Sequence, residues 1–233
     1  MFINSRFDSF AKTTIMITAS ALFLGACSGD SAKSTSGAVS GERTAYEVAG
    51  DHALGNPDAK VTVVEYASVT CGACGNWHTN VWPEFKSTYV DTGKVRFVYR
   101  EFPTGVVSLA NVGHLLANCA GEDKFFGLID VQMKRQSQII NSSDVKGEYV
   151  ALAKSAGMNE AAFDACMADE EQISRLRKVA DDASNAGVTG TPTFFINGKK
   201  EQMFVIEDFH KKLAPLLGDD APKQPEEKQE EQE

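Results

Sequence analysis

The sequence predicts an α/β fold whose strands are interrupted by a helical block. Three observations predict it. Two strand-like runs, Val61 to Tyr66 and Val95 to Glu101, flank a stretch with helical spacing, the pattern of a right-handed βαβ unit with parallel strands. From about Thr104 to Asp182 the apolar residues recur at helical intervals. Strand character then returns at Thr193 to Asn197, and Asn197-Gly198 is a strong hairpin signal.

Asn56-Pro57-Asp58 marks a turn before the first strand. That strand is nearly continuous in β-branched residues, as a strand buried on both faces should be. Ser68 to Gly75 reads as a loop carrying two cysteines. Trp77, Val81, Trp82, Phe85 and Tyr89 then fall at helical spacing over residues 74–89, with Pro83 an expected kink. In the helical block Leu109, Val112, Leu116 and Cys119 share one face; so do Tyr149, Leu152, Ala153 and Ala156, and Ile173, Leu176, Ala180 and Ala183. Ser143 and Asn159 are the expected N-caps. Glu207 to Leu217 reads as a terminal amphipathic helix.

Composition limits the alternatives. At 42% hydrophobic and 24% charged over 233 residues, the chain is neither a collagen, a coiled-coil rod nor wholly disordered. Its net charge of -9 and the lack of a basic patch argue against nucleic acid as a partner. Residues 219–233 hold seven acids and two lysines, so the tail alone carries -5 and the rest is only mildly acidic.

The N-terminus has its own grammar. Arg6 and Lys12 precede an uncharged apolar run from Thr13 to Leu24, followed by Gly25-Ala26-Cys27. This is the order of a secretory signal peptide, and the run is too short to span a bilayer. Leu24-Gly25-Ala26-Cys27 resembles the lipobox of bacterial lipoproteins, which makes Cys27 the expected lipidation site; the plainer reading is cleavage after Ala26 with Cys27 left free. The organisation expected is a lipoprotein signal peptide over 1–26, a flexible tether and lead-in over 27–54, a first core half over 55–103, a helical insertion over 104–183, a second core half over 184–218 and an acidic disordered tail over 219–233.

Cys71-Gly72-Ala73-Cys74 carries the chemistry. Between a strand and a helix, the first thiol meets the N-terminal backbone N–H groups, which favour a thiolate. The second, one turn on, is placed to resolve a mixed disulfide. Gly72 and Ala73 bring no charge, so stabilisation must come mainly from the backbone. A static disulfide and half of a metal site are the rival readings. A zinc site needs two further ligands, and Cys119, Cys166 and the four histidines show no ligand spacing, so neither metal nor cofactor is expected.

Glu65 lies six residues before Cys71 inside an apolar strand. Buried, its pKa would rise and suit it to proton exchange with Cys74; on an edge strand it would be an ordinary surface carboxylate. Gly190-Thr191-Pro192-Thr193 immediately precedes the Phe194-Phe195-Ile196 strand, and its X-Pro bond is a candidate for the cis form; taken alone, Pro192 would be a loop proline. His78 reads as a helix-surface or packing residue. With Cys27 lipidated the other four cysteines are even in number, and Cys119 and Cys166 fall on apolar helical faces. In an exported protein they are expected to pair; two buried free thiols are the alternative.

Strand, Glu65, Cys71, Cys74, helix and a late Thr191-Pro192 together resemble the thioredoxin superfamily. The helical insertion and Gly187-Val-Thr-Gly-Thr-Pro-Thr-Phe-Phe-Ile-Asn-Gly198 are similar to its DsbA-like branch, over about residues 55–217. The resemblance implies a thioredoxin fold with an inserted helical domain, Cys71 as exposed nucleophile and Cys74 as buried resolving thiol. It also implies Glu65 as the buried acid, a cis Pro192 facing the disulfide, and a Thr191 backbone that pairs with substrate. Gly72-Ala73 departs from the Pro-His of the best-known strong oxidants. The expected protein is an oxidoreductase tethered by lipid in the bacterial envelope, facing the periplasm. It would act on exported proteins and be regenerated by a membrane redox partner or a small thiol. A reductase or isomerase, and a lipoprotein binding module, are the alternatives.

Overall fold

The computed structural model describes residues 46–222. The signal peptide, Cys27, most of the tether and all but the first residues of the acidic tail lie outside them.

Five strands form one sheet: β1 (His52–Leu54), β2 (Val61–Ala67), β3 (Val95–Glu101), β4 (Thr193–Ile196) and β5 (Lys199–Glu201), in the order β1-β3-β2-β4-β5. β2 and β3 run parallel, joined through the helices between them, and the other pairs are antiparallel. β2 is the central strand and all seven of its residues are buried, which explains why its sequence does not alternate. β1 was not expected. It is three residues long, at the sheet edge, inside the segment read as a lead-in.

Each face of the sheet has its own core. Val61, Val63, Phe97, Tyr99, Phe194 and Ile196 point to one side, where they meet Trp77 of α1 (Gly72–Asn80), Phe85 of α2 (Trp82–Phe85) and Phe209 of α9 (Ile206–Leu217). Val64, Tyr66 and Val98 point to the other, against Ala183 of α8 (Glu170–Asn185) and Val188. By the strand period of two, Glu65 shares the first face and lies beneath α1. Trp77 anchors that face, with ring centroids 4.9 Å from Phe194 and 5.6 Å from Phe209.

The helical stretch differs from expectation at its joints. α1 begins at Gly72, so Cys74 is helical and only Cys71 remains in the loop. The expected single kinked helix is α1, then α2 with Pro83 in its first turn, where a missing N–H is tolerated, then a π turn over Lys86–Val90. The insertion comprises α3 (Val107–Cys119), α4 (Glu122–Lys134), α5 (Gln136–Ile140), α6 (Val145–Ser155), α7 (Glu160–Met167) and α8. Asn159 caps α7, but α6 is capped by Asp144, one residue after the expected Ser143. No helix among the described residues is long and apolar enough to cross a membrane.

A buried ion pair ties the insertion to the sheet. Arg175 of α8 donates to Glu101 Oε1 at 2.7 Å, and Asn118 of α3 donates to the same oxygen at 2.9 Å. Burial alone would raise the Glu101 carboxyl; the Arg175 guanidinium overrides burial and holds it below the usual carboxylate range. Glu101 is 2% exposed, so Arg175→Met would leave a charge buried without its partner, a loss of about 3–5 kcal/mol. A depressed carboxyl gives stability that is present above its unfolded pKa and lost as pH falls through its folded one. Urea denaturation should therefore show the variant's deficit at neutral pH and a smaller one in acid. An equal deficit at both would assign the effect to packing.

Candidate active site

Cys71 is the N-cap of α1, with extended backbone at φ -84° and ψ 116°. Cys74 N–H donates to Cys71 Sγ at 3.3 Å, and the Cys71 carbonyl accepts from Gly75 N–H at 3.0 Å and from Gln136 Nε2 at 2.9 Å. The peptide bond between Thr191 and Pro192 is cis. This turn brings the Thr191 carbonyl to the active-site helix, where it accepts from Cys71 Sγ at 3.2 Å. The two cysteines are reduced in this structure.

Their environments are opposed. The Cys71 thiol is lowered to about 6: a hydrogen bond from the Cys74 side chain leads, burial opposes it, and Thr191 and the N–H groups of Cys74 and Ala73 add to the lowering. Burial pushes Cys74 far above the ordinary thiol range, helped by its hydrogen bond to Cys71 and by the charge on Glu65. Cys71 is less open than expected. It is 9% exposed against 0% for Cys74, because the Thr191 carbonyl lies against its sulfur.

Glu65 is fully buried on the central strand, not on an edge. Its Oε2 is 2.9 Å from His78 Nε2, while its Oε1 and His78 Nδ1 have no hydrogen-bond partner. His78 is therefore neither a surface residue nor simple packing: it is 2% exposed and is the partner of the buried acid. The signal for it was its position four residues after Cys74, on the same helical face.

Cys119 at the end of α3 and Cys166 of α7 are bonded to each other, with Cα atoms 6.1 Å apart. This disulfide belongs to the insertion and not to the cysteine pair on α1. No cluster of potential metal ligands occurs among the described residues.

These elements define a class. The sheet order, the cysteine pair at the head of α1, the cis proline opposite and the helical insertion make a thioredoxin fold of the DsbA-like kind. The family model described as thioredoxin matches residues 47–213, and the chain belongs to that family. A Rickettsia bellii protein named "Putative protein-disulfide oxidoreductase" is 32% identical over 158 residues, 67% of this chain and 60% of the relative. The chain thus spans about three-fifths of the length of the curated relatives it matches. The crystal structure of Wolbachia pipientis alpha-DsbA1 is similar at a TM-score of 0.67 and 26% identity, covering 75% of this chain and 94% of that one. A protein-disulfide isomerase from Novosphingobium aromaticivorans gives a TM-score of 0.62 at 25% identity, over 72% and 98% of the two chains.

Proposed function

We propose that the protein is a thiol–disulfide oxidoreductase working as an oxidant of exported proteins. The observation that carries this reading is the opposed pair of thiols on one helical turn: Cys71 lowered to about 6, Cys74 buried and raised. In the oxidised protein a substrate thiolate attacks Cys71 Sγ, the Cys71–Cys74 bond breaks, and the electron pair leaves on Cys74, which takes up a proton. A second substrate thiolate then attacks the substrate sulfur of the mixed disulfide and expels Cys71 as a thiolate. The substrate has lost two electrons and the protein has gained them. A stabilised Cys71 thiolate favours the reduced protein and so makes the oxidised one a stronger oxidant.

Pro192 and the Thr191 backbone would hold an extended substrate segment beside Cys71. The lipobox-like leader supports an envelope location with a lipid anchor at Cys27, and regeneration requires a membrane redox partner or a small thiol oxidant. The test is the reduction potential of the pair, measured in glutathione buffers beside an assay with a reduced unfolded protein. A value near about -120 mV with net oxidation supports the reading; one near about -270 mV makes the protein a reductant.

Glu65 and His78 would serve the proton taken up and released at Cys74. Glu65→Gln should slow exchange by roughly 10–100-fold and displace its pH profile while the fold is retained. Stopped-flow rates across pH check this, and an unmoved profile would leave the carboxylate as packing only.

A further inference from the structure

The steps above use the sulfur of Cys71, but its carbonyl is held as well, and from two sides. Gly75 N–H donates to it at 3.0 Å, and Gln136 Nε2, at the start of α5, donates to it at 2.9 Å. A carbonyl oxygen has two lone pairs, so both are taken. The same amide nitrogen also donates to Met133 Sδ on α4 at 3.4 Å. Gly75 is buried inside α1 and is not at positive φ, so its backbone does not call for glycine, and glycine within a helix costs stability relative to alanine. What calls for it is Gln136. A Cβ at residue 75 would stand 2.5 Å from Gln136 Oε1, 2.8 Å from its Cδ and 3.0 Å from its Nε2. The approach to Cys71 is held separately by the loop after β3. There the Thr104 carbonyl accepts from Ser68 Oγ at 2.9 Å and from Thr70 Oγ1 at 2.6 Å, and the Thr104 hydroxyl lies 2.5 Å from Thr191 Oγ1.

The geometry points to Gln136 as a positioning residue for Cys71: its amide, seated in the space that Gly75 leaves open, fixes the N-cap of α1 and offsets the negative end of the carbonyl beside the sulfur. Oxygen and sulfur here belong to one residue, so the carbonyl dipole is always close to the thiol and opposes its ionisation. An N–H donated to that oxygen brings a positive hydrogen to it and weakens the opposition. The same bond restrains Cys71 at ψ 116°, and the Cys74 N–H contact with Cys71 Sγ at 3.3 Å depends on that angle. Gln136 touches no reacting atom, so it acts through the Cys71 backbone and not on substrate. Because it belongs to the insertion, the seating of α4 and α5 on α1 is felt at the reactive thiol.

The inference rests on Cys71 being the reactive thiol, and its test uses no substrate. The thiolate absorbance of the reduced, full chain is titrated for wild type, Gln136→Ala, Gln136→Glu, Gly75→Ala and the Gly75→Ala/Gln136→Ala double variant. Cys74 lies far above the ordinary thiol range, so the first midpoint is that of Cys71. Gln136→Ala should raise it by roughly half a unit, about a threefold fall in the ionisation constant. Gln136→Glu keeps the size but replaces the donor with a charged acceptor, and should raise it further. Gly75→Ala should act like Gln136→Ala, because its methyl displaces the amide. In the Gln136→Ala background that methyl enters vacated space. There Gly75→Ala should leave the thiol midpoint where Gln136→Ala put it, and it should raise the urea midpoint of unfolding, since alanine is the better helix former. An unmoved or lowered thiol midpoint in Gln136→Ala, or shifts from the two substitutions that simply add, would overturn the role. If Gln136→Ala or Gly75→Ala does not fold, Gln136→Glu decides: a wild-type midpoint there overturns the role equally. A chain that titrates as expected but exchanges no disulfides would defeat the proposed function and leave this role intact.

Discussion

Cys74→Ser is expected to leave Cys71 covalently joined to its substrates, and to reduce turnover to the uncatalysed rate. With its thiol lowered to about 6, Cys71 at pH 7 is mostly thiolate, roughly ten to one. It is the more accessible of the two sulfurs and stands beside the cis-proline turn. Under the proposed function Cys74, one helical turn on and fully buried, is also placed to attack a mixed disulfide held at Cys71 and so release a trapped substrate. Serine in that place retains a hydroxyl donor for the Cys71 thiolate but has no sulfur to attack with. Non-reducing gels of whole cells expressing Cys74→Ser should show a ladder of adducts that collapses on reduction, and Cys71→Ser should show none. The reverse pattern would exchange the two roles. A lack of adducts from either variant, in a protein whose Cys71 still alkylates rapidly near neutral pH, would point to a folded but non-exchanging thiol site.

How much of this site could be read in the chain depends on how local each part is. Cys71 and Cys74 stand out because thiol chemistry and a strand-to-helix junction coincide within four residues. The buried β2 strand stands out because a central strand has no solvent face to alternate towards. Glu65 alone was ambiguous: its residue type does not tell whether the strand is central or at an edge, and only the β3-β2-β4 order decides that. His78 was misread because its place on the helix does not tell which face packs on the sheet, and its partner Glu65 stands 13 residues away on β2. Thr104 and Gln136 carry no local signal. They reach Thr191 and Cys71 across 87 and 65 residues, and a hydrogen bond between loops leaves no periodicity in the sequence. β1 is too short for a period-two pattern to declare itself.

The Cys119–Cys166 bond should account for much of the stability of the insertion while contributing little to exchange. Cys119 closes α3 and Cys166 lies on α7, 5% exposed, in a small core with Leu115 and Leu176. The bond spans 47 residues, which in the chain-entropy model is worth roughly 4 kcal/mol, less any native strain. Replacing both cysteines with alanine removes that constraint on the unfolded chain and trims two small apolar groups from the core. Urea denaturation should show the double variant less stable by about 4 kcal/mol, and exchange rates under conditions where it is fully folded should match wild type. The two disulfides should also separate on graded reduction in glutathione buffers. In the Cys71–Cys74 bond the attacked sulfur, on Cys71, belongs to the more exposed residue of the pair, and the low Cys71 thiol favours the reduced pair, so this bond yields first. The insertion bond is enclosed by α3, α7 and α8 and should survive until the fold opens. Alkylation and peptide mapping at each step measure this order. Finding Cys119 and Cys166 both alkylated in native, unreduced protein would mean that the pair is a buried dithiol whose contribution is packing alone.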